Sequence, residues 1–292
     1  MIDLHTHSDE SDGSWPPQRL VDEALRLPLD ALAITDHDTL SGYDHAAPLA
    51  RAAGLDLVCA IELSTKLARK DKPQARNVHV LGYFLDGPPT GEFRDWLGGI
   101  QASRLDRNRR LAAKLQSLGL EVTLEEAQAL GRNLTGRPHF AKVMVGKGYV
   151  ATIQEAFDKY LDESGKAYVR RREPSLAEAV HQINAADGLA VLAHPFRLSR
   201  SKAAPLDSLM QEMVEEGLGG IEAYHSDHTP ADVERFLGLA AAYGLAVTGG
   251  SDFHGDAKPD VALGRGHDGT LSVPREVLDR LRELRGQRSA RT

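Results

Sequence analysis

The chain has 292 residues, 41% of them apolar and 26% charged, with 42 acidic against 35 basic side chains and a net charge of −7. That balance is ordinary for a folded globular protein and excludes a general nucleic-acid coat, so double-stranded DNA is not an expected partner. No apolar run approaches the roughly 20 residues that span a bilayer, the N-terminus lacks the basic and apolar regions of a secretion signal, and the single cysteine, Cys59, cannot form an internal disulfide; the chain reads as cytoplasmic, without a membrane partner.

Taken in order, strand-like and helix-like patterns alternate. Met1–Leu4 predicts a strand that runs into His5, Thr6 and His7. On an extended chain His5 and His7 point to the same side and can share a metal ion. Asp12 follows in a turn closed by Gly13, near enough to bind a neighbouring ion. Pro16 and Pro17 open a helix with Leu20, Val21, Ala24 and Leu25 on one face. Asp30–Thr35 predicts a strand ending in Asp36, His37 and Asp38. Gly42–Ala53 reads as a helix stopped by Gly54. Leu55–Ile61 is an apolar strand ending at Glu62, and Asn77–Leu85 is another, containing His79.

From Pro88 to Arg172 helices take over: Gly98–Leu118, Thr123–Leu130 behind a Thr123/Glu126 capping box, Pro138–Val145 and Ile153–Leu161. Residues 88–172 therefore predict an inserted helical subdomain that contributes to substrate binding, and residues 1–87 and 173–292 the metal-binding barrel around it. Alternation then resumes. Ser175 caps a helix, and the strand Gly188–Ala193 ends in His194 and Pro195. Gly219–Tyr224 ends near His225, and Leu245–Gly249 ends in Ser251, Asp252, Phe253 and His254. Helices are predicted over Leu206–Glu216, Pro230–Tyr243 and Pro274–Leu284. About seven strands, most followed by a helix, predict a closed or nearly closed parallel α/β barrel, with a doubly wound open sheet as the alternative. No G-x-G-x-x-G follows the first strand, so a dinucleotide fold has no support.

His5, His7, His37, Glu62, His194, Asp252 and His254 fall at predicted carboxyl ends of strands, where parallel α/β folds build their sites, and His79 lies beside them. With Asp12 they make nine candidate ligands, too many for one ion and about right for three. Imidazoles and carboxylates without a thiolate suit manganese, iron or zinc. Such a multi-metal site suits phosphoester hydrolysis: ions acidify a water, orient the phosphoryl group and stabilise charge on attacking and leaving oxygens.

The motifs H-T-H-S, S-D-G, I-T-D-H-D-T-x-x-G, I-E, A-H-P and S-D-F-H, in this order from His5 to His254, resemble the PHP (polymerase and histidinol phosphatase) superfamily. Within it they are most similar to the bacterial branch of nucleoside 3′,5′-bisphosphate phosphatases and 5′→3′ exoribonucleases. The resemblance implies a distorted (β/α)7 barrel and two to three divalent ions, Mn2+ first, with Fe2+ or Zn2+ as alternatives. Carried over by motif, His5, His7, Glu62 and Asp252 would hold the first ion. Glu62 would bridge to a second, held with His79 and His194, and Asp12, His37 and His254 would hold a third. Many members have His where this chain has Asp12. A bridging water or hydroxide would attack phosphorus in line.

Supporting roles follow. His194 and Asp252 are the ligands expected closest to the reaction. Arg197 is expected to grip a phosphate with two parallel hydrogen bonds, and His225 to protonate the leaving alkoxide or contact substrate. In the segment Gly131–His139, Arg137 with His139 and Arg132 is expected to hold the second phosphate or the sugar. Ser8 is expected to hydrogen-bond a phosphate, and Asp36 to orient a ligand imidazole. Arg170, Arg171 and Arg172 read as a solvated charge run; His45, His181 and His267 carry no expected chemistry.

The expected activity is removal of the 3′-phosphate of a nucleoside 3′,5′-bisphosphate, leaving the 5′-monophosphate. Alternatives are a 5′→3′ exoribonuclease acting on short 5′-phosphorylated RNA, a histidinol-phosphate phosphatase, and a metal-binding module without turnover. Lost ligands would mark the last, and only Asp12 departs from the family pattern.

Overall fold

The computed structural model describes residues 1–69, 72–131, 134–199 and 206–289. Among them, seven strands form one sheet in chain order: β1 (Ile2–Asp3), β2 (Ala31–Ile34), β3 (Asp56–Arg69), β4 (Lys72–Phe84), β5 (Leu189–Leu192), β6 (Gly220–His225) and β7 (Ala246–Gly250). The sheet curls until the segments beyond β1 and β7 meet. Leu4 N donates to Gly249 O at 3.2 Å, Asp252 N to His5 O at 2.8 Å and His7 N to Phe253 O at 2.8 Å. This is the expected nearly closed seven-stranded α/β barrel, with one correction. Neighbours pair in parallel except around β4, which runs antiparallel to both β3 and β5. β3 continues past Glu62 to Arg69, opposite Lys72, and the chain returns directly as β4. Antiparallel strands need no crossover helix, whereas parallel ones do.

Side-chain alternation sets what each strand offers. On β3 the residues Val58, Ala60 and Glu62 share a face, and on β4 so do His79, Leu81 and Tyr83. Val58, Ala60, Leu81 and Tyr83 join Ile2, Leu4, Ala31, Ala33, Leu189 and Val191 in one buried apolar cluster. Glu62 and His79 thus form a polar layer at the top of an apolar column. Val277, Leu278 and Leu281 of a C-terminal helix also belong to that column.

Helices α1 (Pro17–Arg26) and α2 (Ser41–Ala53) follow β1 and β2. α1 buries Leu20, Val21 and Ala24, whereas Leu25 is exposed, so its apolar face is narrower than the sequence suggests. Gly54 ends α2 in the left-handed conformation expected of it. Between β4 and β5 lie α3 (Glu92–Ser117), α4 (Leu124–Gln128), α5 (Arg137–Gly146) and α6 (Ile153–Ala156), the last running into a π turn at Phe157–Leu161. α3 begins a turn and a half before the predicted start, because Gly98 and Gly99 interrupt its pattern without ending the helix. Leu111, Leu115, Val122, Phe140, Met144 and Leu161 pack into a cluster of their own, separate from the barrel core. The rest comprises α7 (Leu176–Ala185), α8 (Phe196–Ser199), α9 (Leu206–Glu215), α10 (Pro230–Tyr243), the short hairpin β8 (Val261–Ala262) and β9 (Gly266–His267), and α11 (Glu276–Ser289). No helix among the described residues is long and apolar enough to cross a membrane.

Candidate metal centre

All seven strands deliver polar side chains to one end of the barrel. His5 and His7 follow β1, His37 follows β2, and Glu62 lies on β3. His194 follows β5, Glu222 and His225 lie on β6, and Asp252 and His254 follow β7. His79 sits inside its strand yet reaches the same end, because β4 enters the barrel from that end. Close approach of β7 to β1 depends on Gly250: a Cβ there would overlap the backbone nitrogen of His5. Asp38, His194 and Asp252 turn out of their strand ends at φ of 51°, 29° and 56°, a backbone region L-residues seldom adopt. Such strain collects where the surrounding structure holds a functional side chain in place.

Glu62 is the hub. Its Oε1 lies 2.7 Å from His79 Nδ1 and 2.9 Å from His194 Nε2. Its Oε2 lies 3.1 Å from His7 Nε2 and 3.3 Å from both His5 Nε2 and His37 Nδ1. Asp252 Oδ1 stands 3.3 Å from His7 Nε2 and 3.5 Å from His5 Nε2. Asp12 Oδ1 stands 3.3 Å from His254 Nε2, and its Oδ2 is 3.7 Å from His37 Nε2. Ligand atoms of His5, His7, Glu62 and Asp252 all lie within 4.8 Å of one another, as do those of His7, Asp12, His37 and His254, and those of His37, Glu62 and His79. Eight of the nine residues singled out in the sequence therefore fall in overlapping groups that share Glu62, His7 and His37, and the ninth, His194, meets the cluster through Glu62 Oε1.

Protein hydrogen bonds do not satisfy this cluster. Both ring nitrogens of His7, Nδ1 of His37 and Oδ1 of Asp12 are buried without a hydrogen-bond partner among the described residues. A carboxylate offers about four lone-pair sites, too few for five converging imidazoles. Divalent cations would take up imidazole lone pairs and carboxylate charge together, so the donor set fits metal ions of the manganese, iron or zinc type. Burial opposes the charge on His7, but Asp252, Glu62 and Asp12 outweigh it and lift the imidazole to about 9. His5 is also raised, its burial overcome by Glu222, Glu62 and Asp252. Burial and the Arg197 guanidinium push His194 down to about 3, and burial pushes His37 down to about 4.

Glu222 is absent from the sequence-derived set. It is fully buried, accepts from His5 Nδ1 at 2.8 Å and from the backbone NH of His194 at 2.7 Å. It thereby fixes the tautomer of one candidate ligand and the backbone of another. The one signal for it was a carboxylate inside the otherwise apolar strand Gly220–His225.

Beside the cluster a cavity of about 440 Å³ opens under α3 and α5, bordered on the metal side by Asp12, His37 and His79. Lys66, Arg104, Arg107, Arg137, Arg171 and Arg197 line it, with the aromatic rings of Phe157 and Tyr168. Arg104 and Arg171 both bind the buried carboxylate of Asp38, the latter at 3.4 Å. Arg171 is therefore no solvated charge: its side chain is only 6% exposed. Arg107 is 5% exposed, its Nε has no hydrogen-bond partner among the described residues, and burial with the charges of Arg104, Arg171 and Arg137 pushes its pKa down to about 8.

Several expected substrate contacts fall elsewhere. The hydroxyl of Ser8 is buried and donates to Asp36 at 2.6 Å, so it is committed to the scaffold rather than to a phosphate. Asp36 also accepts from Ser8 N and Ser11 Oγ, clamping the loop after His7 instead of orienting the His37 ring. His139 is fully buried, and its Nδ1 accepts from Gly136 N at 2.9 Å; it caps its own helix and does not line the cavity. Arg132 lies outside the described residues. Arg137 does line the cavity, with Nη1 donating to Leu161 O at 3.0 Å. Arg197 sits against the cluster, Nη1 3.2 Å from His194 Nε2 and Nη2 donating to Asp252 Oδ2 at 3.2 Å. His225 lies on the far side of Asp252, its Nε2 3.6 Å from Oδ2, and faces a different cavity. Lys258, unmarked in the sequence, pairs with the same oxygen at 2.7 Å.

Comparison with known proteins agrees with this geometry. Residues 3–169 match the family model of the PHP domain. The chain is 32% identical over 269 residues to a 3′,5′-nucleoside bisphosphate phosphatase of Chromobacterium violaceum, covering 91% of this chain and 92% of that one. It is 34% identical to a phosphoribosyl 1,2-cyclic phosphate 1,2-diphosphodiesterase of Eggerthella lenta, covering 87% and 94%, and 30% identical to a 5′-3′ exoribonuclease of Haemophilus influenzae, covering 86% and 89%. A solved protein of Bifidobacterium adolescentis, assigned as a metal-dependent phosphoesterase, superposes with a TM-score of 0.80 at 31% identity, covering 96% and 94%. The chain belongs to the PHP domain family.

Proposed function

We propose that this protein is a metal-dependent phosphoesterase that removes the 3′-phosphate of a nucleoside 3′,5′-bisphosphate, such as adenosine 3′,5′-bisphosphate, leaving the 5′-monophosphate and phosphate. The observation that carries the reading is the juxtaposition of the His/Asp/Glu cluster with an arginine-lined cavity. One phosphate of the substrate sits at the cluster and the other at the arginines. The first ion would be held by His5, His7, Glu62 and Asp252, a second by Glu62 with His79 and His194, and a third by Asp12, His37 and His254, with Mn2+ as the favoured metal. Bound there, the ions supply Lewis acidity and a nucleophilic water at neutral pH.

The chain's own residues do the positioning. Arg107, buried beside the guanidiniums of Arg104, Arg171 and Arg137 with the Glu173 carboxylate as the weaker counter-charge, gains most from an incoming phosphate. Phe157 and Tyr168 offer faces on which a base can stack. These side chains all come from residues 88–172, which we take as the substrate-selecting insertion in a barrel formed by 1–87 and 173–292. Arg197 reaches over the cluster and is placed to hold a phosphoryl oxygen with its Nη atoms. A nucleoside held in the arginine cavity directs its leaving 3′-oxygen away from His225, so His225 is not kept as the general acid.

The similarity to exoribonucleases makes 5′-phosphorylated RNA the second reading. The deciding assay compares kcat/KM of Mn2+-loaded protein on adenosine 3′,5′-bisphosphate, a short 5′-phosphorylated RNA and histidinol phosphate. Preference for the bisphosphate over histidinol phosphate is expected, because the latter has nothing to offer the arginines. Preference for histidinol phosphate would overturn the proposal.

A further inference from the structure

Within the helical insertion a further cavity, of about 440 Å³, opens between the start of α2, the helix α3, the end of α4 and residues 134–135. None of its described lining residues is a candidate metal ligand. Gln101, Leu105 and Asn108, spaced as one stripe of α3, form a wall, and Ser41, Gln128 and Thr135 add polar groups from other parts of the chain. Arg104 and Leu134 line both this cavity and the arginine-rich one, so these two side chains stand at the boundary between them.

Three observations say what the cavity takes. Asn108 is 2% exposed, and its amide nitrogen donates to Thr135 O at 2.8 Å. That bond fixes the orientation of the amide and leaves Oδ1 as a buried acceptor with no partner among the described residues. Arg104, one helical turn away, is also buried, and its Nε has no partner among them either. One orphaned acceptor and one orphaned donor, a turn apart on one helix, match a molecule that presents an N–H beside a C=O. Finally, the described lining holds no carboxylate, and its one cation, Arg104, already pairs with Asp38. The lining suits an uncharged ligand, and the volume falls within the roughly 300–1,000 Å³ of small-molecule sites.

We propose that this cavity binds an uncharged nucleoside through the lactam or imide edge of its base, and that the bound nucleoside holds Arg104 ready for the phosphate in the neighbouring cavity. The base N–H donates to Asn108 Oδ1, and the adjoining carbonyl accepts from Arg104 Nε. The second half rests on the reading of the arginine cavity given above. Arg104 already donates to Asp38 through Nη2. A second fixed partner on Nε sets the plane of the guanidinium, so less ordering is left to do when a phosphate arrives. The nucleoside is thus an effector at a site of its own, distinct from the ring that stacks on Phe157 and Tyr168, and it favours phosphate binding without touching the reacting atoms.

The test uses the Mn2+-loaded protein and two probes, uridine and inosine, each beside the analogue that carries a methyl group on the base N–H (3-methyluridine and 1-methylinosine). Equilibrium dialysis should find saturable binding of uridine or inosine, weakened about tenfold or more by the methyl group, which leaves Asn108 Oδ1 unpaired. Ala102 is exposed and lines this cavity but not the arginine-rich one, whereas Ala113 is exposed on the same helix and lines neither. Ala102→Trp should weaken nucleoside binding about tenfold or more, and Ala113→Trp should leave it unchanged. In steady-state kinetics, saturating nucleoside should lower KM for adenosine 3′,5′-bisphosphate about threefold, to a limit, at unchanged kcat. Ala102→Trp should abolish that response while keeping KM without nucleoside within about twofold. No saturable binding of either probe, equal binding of the methylated analogues, equal effects of the two tryptophans, or a KM that stays constant or rises with nucleoside would overturn the inference and leave the proposed function standing. Absence of bisphosphate turnover would remove the proposed function and the coupling with it, while the dialysis still decides whether the cavity takes a nucleoside.

Discussion

Arg107→Met should make the ligand-free protein more stable and the enzyme worse. Arg107 is 5% exposed, shares its wall with three other guanidiniums and has its pKa pushed far below the usual guanidinium range, to about 8. A drop of that size corresponds to roughly 6 kcal/mol set against the charged form. Methionine matches the length of the buried stem and packs without a charge. It gives up whatever hydrogen bonds the guanidinium makes, so a net gain of about 1–3 kcal/mol is the expected order. In a protein of this size that raises Tm by a few degrees, at roughly 2–4 °C per kcal/mol. The same change removes charge-assisted hydrogen bonds to the second phosphate, worth about 1.5–3 kcal/mol, so kcat/KM for adenosine 3′,5′-bisphosphate should fall by about 10- to 150-fold. Adenosine 3′-monophosphate, which brings no second phosphate, should lose much less. Differential scanning calorimetry in phosphate-free buffer and steady-state kinetics on the two nucleotides read both effects. A variant less stable than its parent, or one equally impaired on both nucleotides, would refute the reasoning.

The remaining predictions concern the cluster and the cavity wall. Glu62→Gln should lower bound metal, counted by atomic emission, and reduce turnover at least about 10³-fold, since it removes the one carboxylate facing five imidazoles; normal turnover with depleted metal would show that the cluster is not the site. Glu222→Gln should keep the fold but weaken metal binding by about 10- to 100-fold by loosening His5; unchanged affinity in a metal titration would reduce Glu222 to a structural role. In the metal-free protein His7, raised to about 9, carries a proton at neutral pH, as does His5, and an ion can bind only the neutral ring. Apparent metal affinity should therefore climb as pH rises toward about 9, and calorimetry in buffers of different ionisation heat should find protons released at pH 7. Pairs of titrations showing no buffer dependence would contradict this. Arg137→Ala should raise KM for the bisphosphate about tenfold with little change in kcat, the pattern of lost uniform binding; a fall in kcat alone would place Arg137 at the chemistry instead.

How much of this could be read from the chain depends on whether the signal is local. Polar residues at the ends of apolar strands stand out, so His5, His7, His37, Glu62, His194, Asp252 and His254 were legible as a group, and the seven-stranded barrel with them. The direction of β4 was not, because alternation of period two looks the same read either way, and the charged stretch around Lys66 and Arg76 resembles a loop. Glu222 hid inside an apolar strand as a lone carboxylate. The Asp38–Arg104–Arg171 assembly joins residues far apart in sequence, and nothing local distinguishes Arg171 from its exposed neighbours Arg170 and Arg172. Ser8 and His139 show the converse error: hydrogen-bonding side chains beside a site are as often spent holding their own loop as touching a ligand.

The reversed strand has a consequence for how such a protein can change over time. Because β4 descends, the chain leaves it at Phe84, at the floor of the barrel, and must climb again before anything can cover the mouth. The 26 residues of α3 do this, a rod of about 39 Å that carries Arg104 and Arg107 upward. The chain rejoins the barrel at Ser175, which pairs with Lys66 on the rising limb of β3. Both ends of the covering unit are thus anchored to the one hairpin that also carries Glu62 and His79. Lengthening, shortening or replacing what lies between them alters which molecules are admitted and leaves the reactive centre in register, so one scaffold can be handed from substrate to substrate by exchanging its roof.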